Sequence, residues 1–448
     1  MGKSVAAAHG ILGEGGDKEE DQNVEDEMES LVAMLDESGR GGDSQGVPQV
    51  RLLEVPTSTK SPVSFKRGKL YHATAEGMQM VEEQWGILKE IAVGGVGKPT
   101  GQSADEWTAT VMESWPTKEA FLAGQPHTRR AYWVRLFQLV GTSEGRAEKL
   151  VLKVLDQGLK LGFGGFHQAS RMGRPGEAHR LAGVKGVMRR EGYDEEAVEY
   201  WDKPPEGLYI RNHPSCYTEQ GAAVLRQTIA KDCKSGAMVE WTPGYRPSVV
   251  VGLIVAIDEV VGGEPKVRVL GDYRPVNITS EHHPVRYEGH KDVAGLAREG
   301  DFIWTTDDTS GFHHFRVHED YHQYLGLEFE GKFYAYTHLP FGIASGPWFY
   351  QLAKEVWFKA LRLVHLRGYY LIDDQAQFGQ GLDRTRSQSA AVCKLMGLDE
   401  GGMGWHLSRG KSKPHPEKRQ ASLGDSHGQV AVCRTLAGGG RHQHRLLC

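Results

Sequence analysis

Apolar and polar positions along the chain change their period near residue 208. Before that point, residues 147–159 carry apolar side chains at helical spacing, which predicts a helix within a mainly helical stretch. After it, residues 247–257 (PSVVVGLIVAI) and 266–270 (KVRVL) are rich in β-branched residues and predict two strands joined by a turn. The pattern separates a helical region, 67–207, from a region that mixes strands with helices.

The elements of the second region follow an order typical of an α+β fold. Residues 219–234 predict a helix, and 333–337 (FYAYT) predict a strand. Ser345 is predicted to cap a further helix, with Pro347 in its first turn. The predicted apolar face of that helix comprises Phe349, Leu352, Ala353, Val356 and Trp357. This order of elements predicts an α+β plan rather than alternating βαβ units.

Two apolar runs in the second region end in paired carboxylates. They are 302–308 (FIWTTDD) and 369–374 (YYLIDD). Both runs predict buried strands that end in aspartate, and carboxylate oxygens are the ligands that Mg²⁺ prefers. Two such strands side by side could hold two Mg²⁺ ions for phosphoryl transfer.

Charge is distributed unevenly between the two ends of the sequence. Residues 1–50 hold 3 Lys and Arg against 12 Asp and Glu, whereas the last 48 residues hold 8 against 2. Residues 1–66 are predicted to be a disordered acidic leader, and 429–448 a disordered basic tail. Two interpretations stay open: the basic end contacts a polyanion, or both ends are merely solvated chain.

Composition also argues against several classes of protein. No apolar run approaches the length that spans a bilayer, and Gly, Glu and Asp interrupt any signal-peptide core near the N-terminus. The 5 cysteines form no CxxC pair, which argues against a disulfide framework or a zinc site and for a reducing compartment. We therefore expect an intracellular protein of the cytoplasm or nucleus, with no membrane partner.

Several short blocks occur in a fixed order along the second region. They are 268–277 (RVLGDYRPVN), 307–314 (DDTSGFHH), 339–347 (LPFGIASGP), 371–374 (LIDD), and 410–412 (GKS) followed by LG at 423–424. In this order and at these gaps, the blocks resemble the successive motifs of retroelement reverse transcriptases, over 208–428. The HH and LPFG elements are more similar to gypsy-like and DIRS-like retrotransposon polymerases than to retroviral ones.

The resemblance implies a fold and an activity for 208–428. The implied fold is the fingers and palm of a right-hand polymerase, with an RRM-like antiparallel palm sheet and helices. The implied activity is that of an RNA-directed DNA polymerase, whose partners are an RNA template, a DNA or RNA primer and a deoxynucleoside triphosphate. Two Mg²⁺ ions, or Mn²⁺ in their place, would assist the transfer. The oligomeric state is left open.

The resemblance also implies roles for the carboxylates and a lysine. Asp307, Asp373 and Asp374 correspond to catalytic metal ligands, with Asp307 and Asp373 bridging both ions and Asp374 contributing less directly. Lys411 corresponds to the lysine that protonates the pyrophosphate leaving group. Asp308 stands where the family has an apolar residue, and it either repels the triphosphate or points away from it.

Nucleotide-binding roles come from the same resemblance. Arg268 corresponds to the fingers arginine that grips the α-phosphate. Lys266, on the same face, either reaches the outer phosphates or is a solvated strand lysine. Backbone N–H groups of Ser310 and Gly311 would cradle phosphates in a tight turn. Phe312 corresponds to the aromatic steric gate that excludes a 2′-hydroxyl and so selects deoxynucleotides.

Template and primer contacts complete the implied site. Phe341 and Gly342 would line the templating side, where a glycine lets the nucleic acid approach closely. Leu371 takes the place of the tyrosine that contacts the primer terminus in the family. Beyond residue 400, few apolar residues recur periodically, so no thumb is predicted. Adjacent histidines, His313 and His314, would point to opposite faces of a strand and not share one metal ion.

Three other functions stay open on the sequence alone. A catalytically degenerate retroelement remnant would bind nucleic acid without polymerising nucleotides. An RNA-dependent RNA polymerase would share the palm, although Phe312 favours deoxynucleotides. A structural interaction protein would depend on the helical residues 67–200 and would not need 208–428.

Overall fold

Helices come first along the described chain, and both strands and helices follow after residue 207. The computed structural model describes residues 55–64, 74–161 (without 98, 114 and 125–128), 185–186, 189, 207–258, 266–277, 280, 285, 287–288, 295–397 and 402–418. All of these lie within the unit Arg51–Cys448. Most of the predicted leader, the turn at 259–265, the LG pair at 423–424 and the basic tail lie outside the described residues.

The helical region contains helices with conventional start signals. Its described helices are α1 (Ala75–Ala92), α2 (Ala104–Met112), α3 (Arg130–Val140) and α4 (Arg146–Gln157). Ser103 and Glu106 form a reciprocal capping box that satisfies backbone N–H groups at the start of α2. At the other end of the region, α4 stops at Gly158, whose φ of 84° ends the helical backbone.

The second region contains both strands and helices. Its described elements are β1 (Leu208–Tyr209), α5 (Glu219–Ser235), β2 (Met238–Glu240), β3 (Val249–Val251), β4 (Leu253–Asp258), β5 (Lys266–Gly271), α6 (Arg274–Asn277), β6 (Phe302–Asp307), β7 (Gly326–Phe329), β8 (Lys332–Tyr336), α7 (Ser345–Leu363), β9 (Arg367–Leu371), β10 (Asp374–Gly379), α8 (Leu382–Met396) and β11 (Lys413–Glu417).

The fold is mixed α/β, and its strands pair in both parallel and antiparallel directions. One sheet has the order β1-β3-β7-β8-β2, in which β1–β3 and β3–β7 pair in parallel. A second sheet is antiparallel, in the order β11-β6-β10-β9, and β4 pairs with β5 as a separate two-stranded sheet. The single strand predicted over 247–257 is therefore two strands that join different sheets. The break falls at Gly252, where a Cβ would lie 2.6 Å from the Arg211 carbonyl oxygen.

One hydrophobic core joins the helical region to the strand-bearing region. Trp133 on α3 is fully buried with Trp357 on α7 and with Trp405, and its indole Nε1 donates to the Met403 carbonyl at 3.0 Å. On the same side, the Arg384 guanidinium of α8 donates to the Ile91 carbonyl at the end of α1, at 2.7 Å. The described N-terminal helices thus pack as part of the same core as the predicted polymerase motifs.

Residues 55–64 differ from the sequence prediction of a disordered leader through residue 66. Thr57 forms a parallel bridge with Arg246, whose buried guanidinium donates to the carbonyls of Val55 at 3.2 Å and Gly207 at 3.0 Å. Buried guanidinium groups need acceptors, and the Val55 carbonyl of this short segment supplies one of them. The low apolar content of the leader gave no sign of this polar anchor.

Residues 402–418 are packed, although the sequence predicted no regular element there. Met403, Trp405 and Leu407 alternate along the chain and are buried, and β11 pairs antiparallel with β6. This period of two is the signal that sequence reasoning missed. No described helix has the length and apolar content needed to cross a membrane.

Two local predictions, the N-cap of α7 and the placement of the adjacent histidines on a strand, were also wrong. The N-cap of α7 is Ala344 rather than Ser345, and the Ser345 hydroxyl is buried without a hydrogen bond. His313 and His314 lie in a short 3₁₀ helix, Gly311–His314, rather than on a strand. The glycine turn redirects the chain directly after β6, so the period of a strand no longer applies.

Candidate active site

The two acidic stretches meet in the four-stranded antiparallel sheet. Strands β6 and β10 pair so that Asp307 lies opposite Asp374, and β9 pairs with β10 so that Leu371 lies opposite Asp374. Asp373 and Ile372 form the two-residue turn between β9 and β10. Ile372 has a φ of 51°, an uncommon conformation for a β-branched residue. The paired strands on both sides hold this strained turn beside the end of β6.

The carboxylates at this end of the sheet form an acidic group, which we call the outer cluster. Its members are Asp307, Asp373, Asp374 and Lys411. Burial raises the pKa of each aspartate, and the neighbouring carboxylates raise it further, bringing the pKa of Asp374 to about 7. The Lys411 ammonium lies 3.1 Å from Asp307 Oδ2 and opposes that rise at Asp307. The cluster therefore contains more negative than positive groups.

The backbone of Asp307 is held by the segment that follows the packed residues 402–407. Its N–H donates to the Ser412 hydroxyl at 3.0 Å, and its carbonyl accepts from the Ser408 N–H at 2.7 Å. Lys411 lies within this same segment, which explains how a residue 104 positions away reaches the Asp307 carboxylate. The structure thus brings together the four residues predicted to be catalytic.

The outer cluster fits Mg²⁺ or Mn²⁺ in its donor chemistry. All of its acidic ligands are carboxylate oxygens, and an ammonium group already accompanies the Asp307 carboxylate. Within the described part of the chain, however, no three His, Cys, Asp or Glu side chains converge as a ready-made metal-holding group. Metal binding at Asp307, Asp373 and Asp374 therefore stays a prediction.

Asp308 points away from the outer cluster into a second group, which we call the inner cluster. Its members are Asp308, Tyr350, Lys354 and Gln375. The Lys354 ammonium forms an ion pair with the Asp308 carboxylate, and both side chains are 0% exposed. The Tyr350 hydroxyl and Gln375 Nε2 also donate to that carboxylate, the latter at 3.2 Å. The Asp308 carboxylate is thus paired with α7 and β10, and after burial its charge is the next largest cause of the raised pKa of Asp373. Whether it repels a triphosphate stays a prediction.

Sequence reasoning missed Tyr350 and Lys354 as site residues. Both lie on the predicted helix, on the face shared with Phe349 and Ala353, and they are four residues apart. A lysine on an otherwise apolar helix face was the available signal. Together with an extra aspartate after the first apolar run, it indicated a buried partner.

The turn after β6 contains the residues predicted to bind the nucleotide. Ser310 adopts a φ of 52°, and a Cβ on Gly311 would lie 2.7 Å from the Tyr350 hydroxyl oxygen. Phe312 is buried and packs edge to face against Phe341 and Tyr350, with ring centroids 4.9 and 5.4 Å apart. Its role as a steric gate stays a prediction.

The DYRPVN and LPFG blocks are brought together by a residue that sequence reasoning did not select. Asn277 Nδ2 donates to the Gly342 carbonyl at 2.7 Å, and Asn277 Oδ1 accepts from the Ala344 N–H at 2.9 Å. Gly342 has a φ of 95°, which favours glycine, while Phe341 is 54% exposed beside Phe312. The exposed Phe341 ring suits the predicted template contact, whereas a Cβ at Gly342 would lie 3.2 Å from the Tyr273 ring. Contact of both residues with a template stays a prediction.

The other predicted nucleotide residues lie in a separate sheet, whereas the predicted primer residue lies at the acidic end of the four-stranded sheet. Arg268 and Lys266 are on β5, in register with Ala256 and Asp258, in the two-stranded sheet. Leu371 ends β9 and is partly buried next to the Asp373 turn. Contacts of these residues with phosphates or primer stay predictions.

Comparisons with known proteins find only limited similarity. No protein-family model matches the chain, and no curated protein matches it. Among solved structures, the native prototype foamy virus protease–reverse transcriptase is similar to it at 18% identity and a TM-score of 0.38. That match covers 49% of this chain and 26% of the viral protein.

Two complexes of foamy viral protease–reverse transcriptase are similar at the same level. The complex with dsDNA has 15% identity over 74% of this chain and 55% of its own, with a TM-score of 0.40. The complex with an RNA/DNA hybrid has 16% identity over 56% and 35%, with a TM-score of 0.40. The chain thus spans 26% to 55% of these proteins. TM-scores this low support no argument about function. Any such argument depends on the residues of the candidate site.

Proposed function

We propose that the chain is an RNA-directed DNA polymerase of the reverse-transcriptase type, from a gypsy-like or DIRS-like retrotransposon. The observation that supports this most strongly is the strand register that places Asp307 opposite Asp374 and beside the Asp373 turn. Three carboxylates at one end of an antiparallel sheet supply the donor chemistry for nucleotidyl transfer. In this proposal the four-stranded sheet is the palm, and the β4–β5 hairpin belongs to the fingers.

Each residue of the outer cluster has its own task in this proposal. Asp307 and Asp373 would hold the divalent ions, and Asp374 would support them from the start of β10. Bound Mg²⁺ would supply activation of the primer 3′-hydroxyl and charge neutralisation at the triphosphate. Lys411, which lies at the Asp307 carboxylate, would hold the proton that the pyrophosphate leaving group requires.

The proposed partners are an RNA template, a DNA or RNA primer and a deoxynucleoside triphosphate. The triphosphate would bind to Arg268, to Lys266 and to backbone N–H groups of Ser310 and Gly311. The buried ring of Phe312 would exclude a 2′-hydroxyl from the sugar site.

Primer extension tests the proposal directly. A DNA primer annealed to an RNA template is incubated with the full chain, Mg²⁺ and either deoxynucleotides or ribonucleotides. We expect extension with deoxynucleotides, lost in Asp307→Asn and retained in the matched control Asp320→Asn, whose side chain is 73% exposed. Extension that survives Asp307→Asn would overturn the metal assignment. Preferred use of ribonucleotides would instead indicate an RNA polymerase.

One observation favours a second function, a degenerate remnant that binds nucleic acid without polymerising. In the described structure, Asp307 contacts Lys411, and no three acidic side chains converge as a metal-holding group. Such a remnant would shift a labelled RNA–DNA duplex in a binding assay yet fail to extend it. Both assays on the same preparation distinguish the two functions.

A further inference from the structure

The ion pair between Asp308 and Lys354 is closed to solvent, with 0% of either side chain exposed. A buried ion pair loses the hydration of both charges, and two apolar residues of similar volume are often as stable in its place. Packing alone therefore does not explain why charged residues stand directly behind Asp307.

Asp308 connects the segments that carry the outer cluster. Its backbone N–H donates to the Asp373 carbonyl at 3.1 Å, so it holds the β9–β10 turn. Its carboxylate accepts from Gln375 on β10 and from Tyr350 on α7. The ion pair to Lys354 adds a second bond to α7. Asp308 thus links the end of β6 to the turn through its backbone, and to β10 and the helix behind them through its side chain.

Lys354 is itself fixed by its surroundings. Its ammonium lies 4.6 Å from the ring centroid of Trp405 and 5.5 Å from that of Tyr350. Aromatic faces attract a cation and restrict where it can lie, more strongly when the site is dry. The charge that Asp308 meets is therefore held in place rather than carried on a mobile surface chain.

We propose that Asp308 and Lys354 are a positioning pair that fixes the Asp373 turn against Asp307. This inference rests on the proposed function, because it takes those aspartates to be the metal ligands. Without the pair, the backbone bond from Asp308 to the turn and the pairing of β6 with β10 remain, but the ion pair that ties the end of β6 to α7 is lost. The distance between the two carboxylates is then constrained less tightly from behind. Small displacements of this kind strongly reduce catalysis.

The test removes both charges and keeps the shapes. Asp308→Asn/Lys354→Met retains acceptor and donor atoms near Tyr350 and Gln375. The matched control is Glu148→Gln/Lys359→Met, which removes the pair between α4 and α7, with a 2.7 Å contact. For each protein we would measure the melting temperature, Mn²⁺ affinity by electron paramagnetic resonance without nucleic acid or nucleotide, and kcat and KM for primer extension.

We expect the Asp308/Lys354 variant to fold and to lose about 10–100-fold in both Mn²⁺ affinity and kcat, with little change in the KM for deoxynucleotide. The control should match the wild-type chain in affinity and kcat. If the variant does not fold, Asp308→Leu/Lys354→Leu restores an apolar pair and is interpreted in the same way.

Wild-type Mn²⁺ affinity and kcat in the folded variant would overturn the positioning role, as would an equal loss in the control. A wild-type chain that binds Mn²⁺ but extends no primer would contradict the proposed function alone, and the Mn²⁺ comparison would still decide the positioning role. A wild-type chain that binds no Mn²⁺ would overturn both.

Discussion

Asp307 and Asp308 are adjacent in sequence, and they lie in opposite surroundings. Asp307 belongs to the outer cluster, where its partner Lys411 is 70% exposed, whereas Asp308 belongs to the inner cluster, where Lys354 is 0% exposed. Successive side chains of a strand point to opposite faces, so one apolar run delivers one carboxylate to each cluster.

The two clusters differ in their balance of charge. The inner cluster pairs one carboxylate with one ammonium, and the Tyr350 hydroxyl and Gln375 Nε2 also donate to that carboxylate, so its two charges offset each other. The outer cluster opposes three carboxylates with one lysine, and burial, together with repulsion from Asp373 and Asp307, raises the pKa of Asp374 to about 7. An unbalanced cluster costs stability and attracts a cation, whereas a balanced buried pair costs stability mainly when one of its two partners is removed.

Removal of a carboxylate from the outer cluster should have the largest effect. It should reduce activity without reducing stability. We expect Asp373→Asn to reduce primer extension to about a thousandth or less. Because burial and neighbouring carboxylates raise the pKa of Asp373, loss of its charge should leave the melting temperature unchanged or higher. Asp320→Asn is the control for both measurements. A melting temperature that falls together with activity would show that the outer cluster is not strained.

Removal of the cation from the inner cluster should act mainly on stability. Lys354→Met leaves the Asp308 carboxylate buried and uncompensated, which should lower the free energy of unfolding by about 3–5 kcal/mol. The control is Lys332→Met, because the pair Lys332–Glu240 is exposed and should contribute less than about 1 kcal/mol. Urea denaturation compares them. Equal losses in the two variants would remove the distinction between a buried and an exposed pair.

Much of the outer cluster could be predicted from sequence because its signals are local. Each aspartate follows an apolar run, and a run of that kind specifies both the strand and the end at which the acid lies. The helix at 345–363 and the strands at 266–271 and 332–336 were similarly predictable, because side-chain period and turn residues specify them.

The inner cluster could not be predicted, because its partners are separated in sequence and meet only in the folded core. Lys354 lies on a helix whose apolar spacing predicts burial, but the spacing does not show which acid it meets. The same holds for Trp133 and the Met403 carbonyl, which join the helical region to the segment after residue 400. Tertiary contacts of this kind depend on the packing of whole elements.

A backbone change between the clusters should have an intermediate effect. A Cβ at Gly311 would lie 2.7 Å from the Tyr350 hydroxyl oxygen, which is held by Asp308. We expect Gly311→Ala to lower the free energy of unfolding by about 1–3 kcal/mol. Gly346→Ala is the control, since its Cβ meets nothing within 4 Å and alanine favours a helix. If Gly311→Ala left the free energy of unfolding unchanged, the Tyr350 side chain would be shown to move freely.

The smallest predicted effect is on how the free energy of unfolding depends on pH. A buried histidine and the buried aspartates should change it in opposite directions. His314 Nε2 accepts from the His406 N–H at 2.8 Å, and its Nδ1 lies 2.7 Å from the Gly311 carbonyl oxygen, an arrangement that requires the neutral ring. Burial lowers the pKa of His314 to about 3. An unfolded histidine has a pKa of about 6.5, so acidification protonates the unfolded chain first. Stability from His314 is therefore lost as the pH falls from 6.5 towards 3.

Asp374 acts in the opposite direction, and this determines the design of the measurement. Its pKa is about 7 in the folded chain and about 3.9 when unfolded, so the folded state gains stability as the pH falls below 7. A comparison of the wild-type chain with His314→Gln cancels that contribution. Between pH 7 and about 5.5, the wild type should lose about 1.4 kcal/mol more unfolding free energy than the variant, as measured in urea. Equal losses would mean that His314 accepts a proton in the folded state, and that the His406 hydrogen bond does not fix its neutral form.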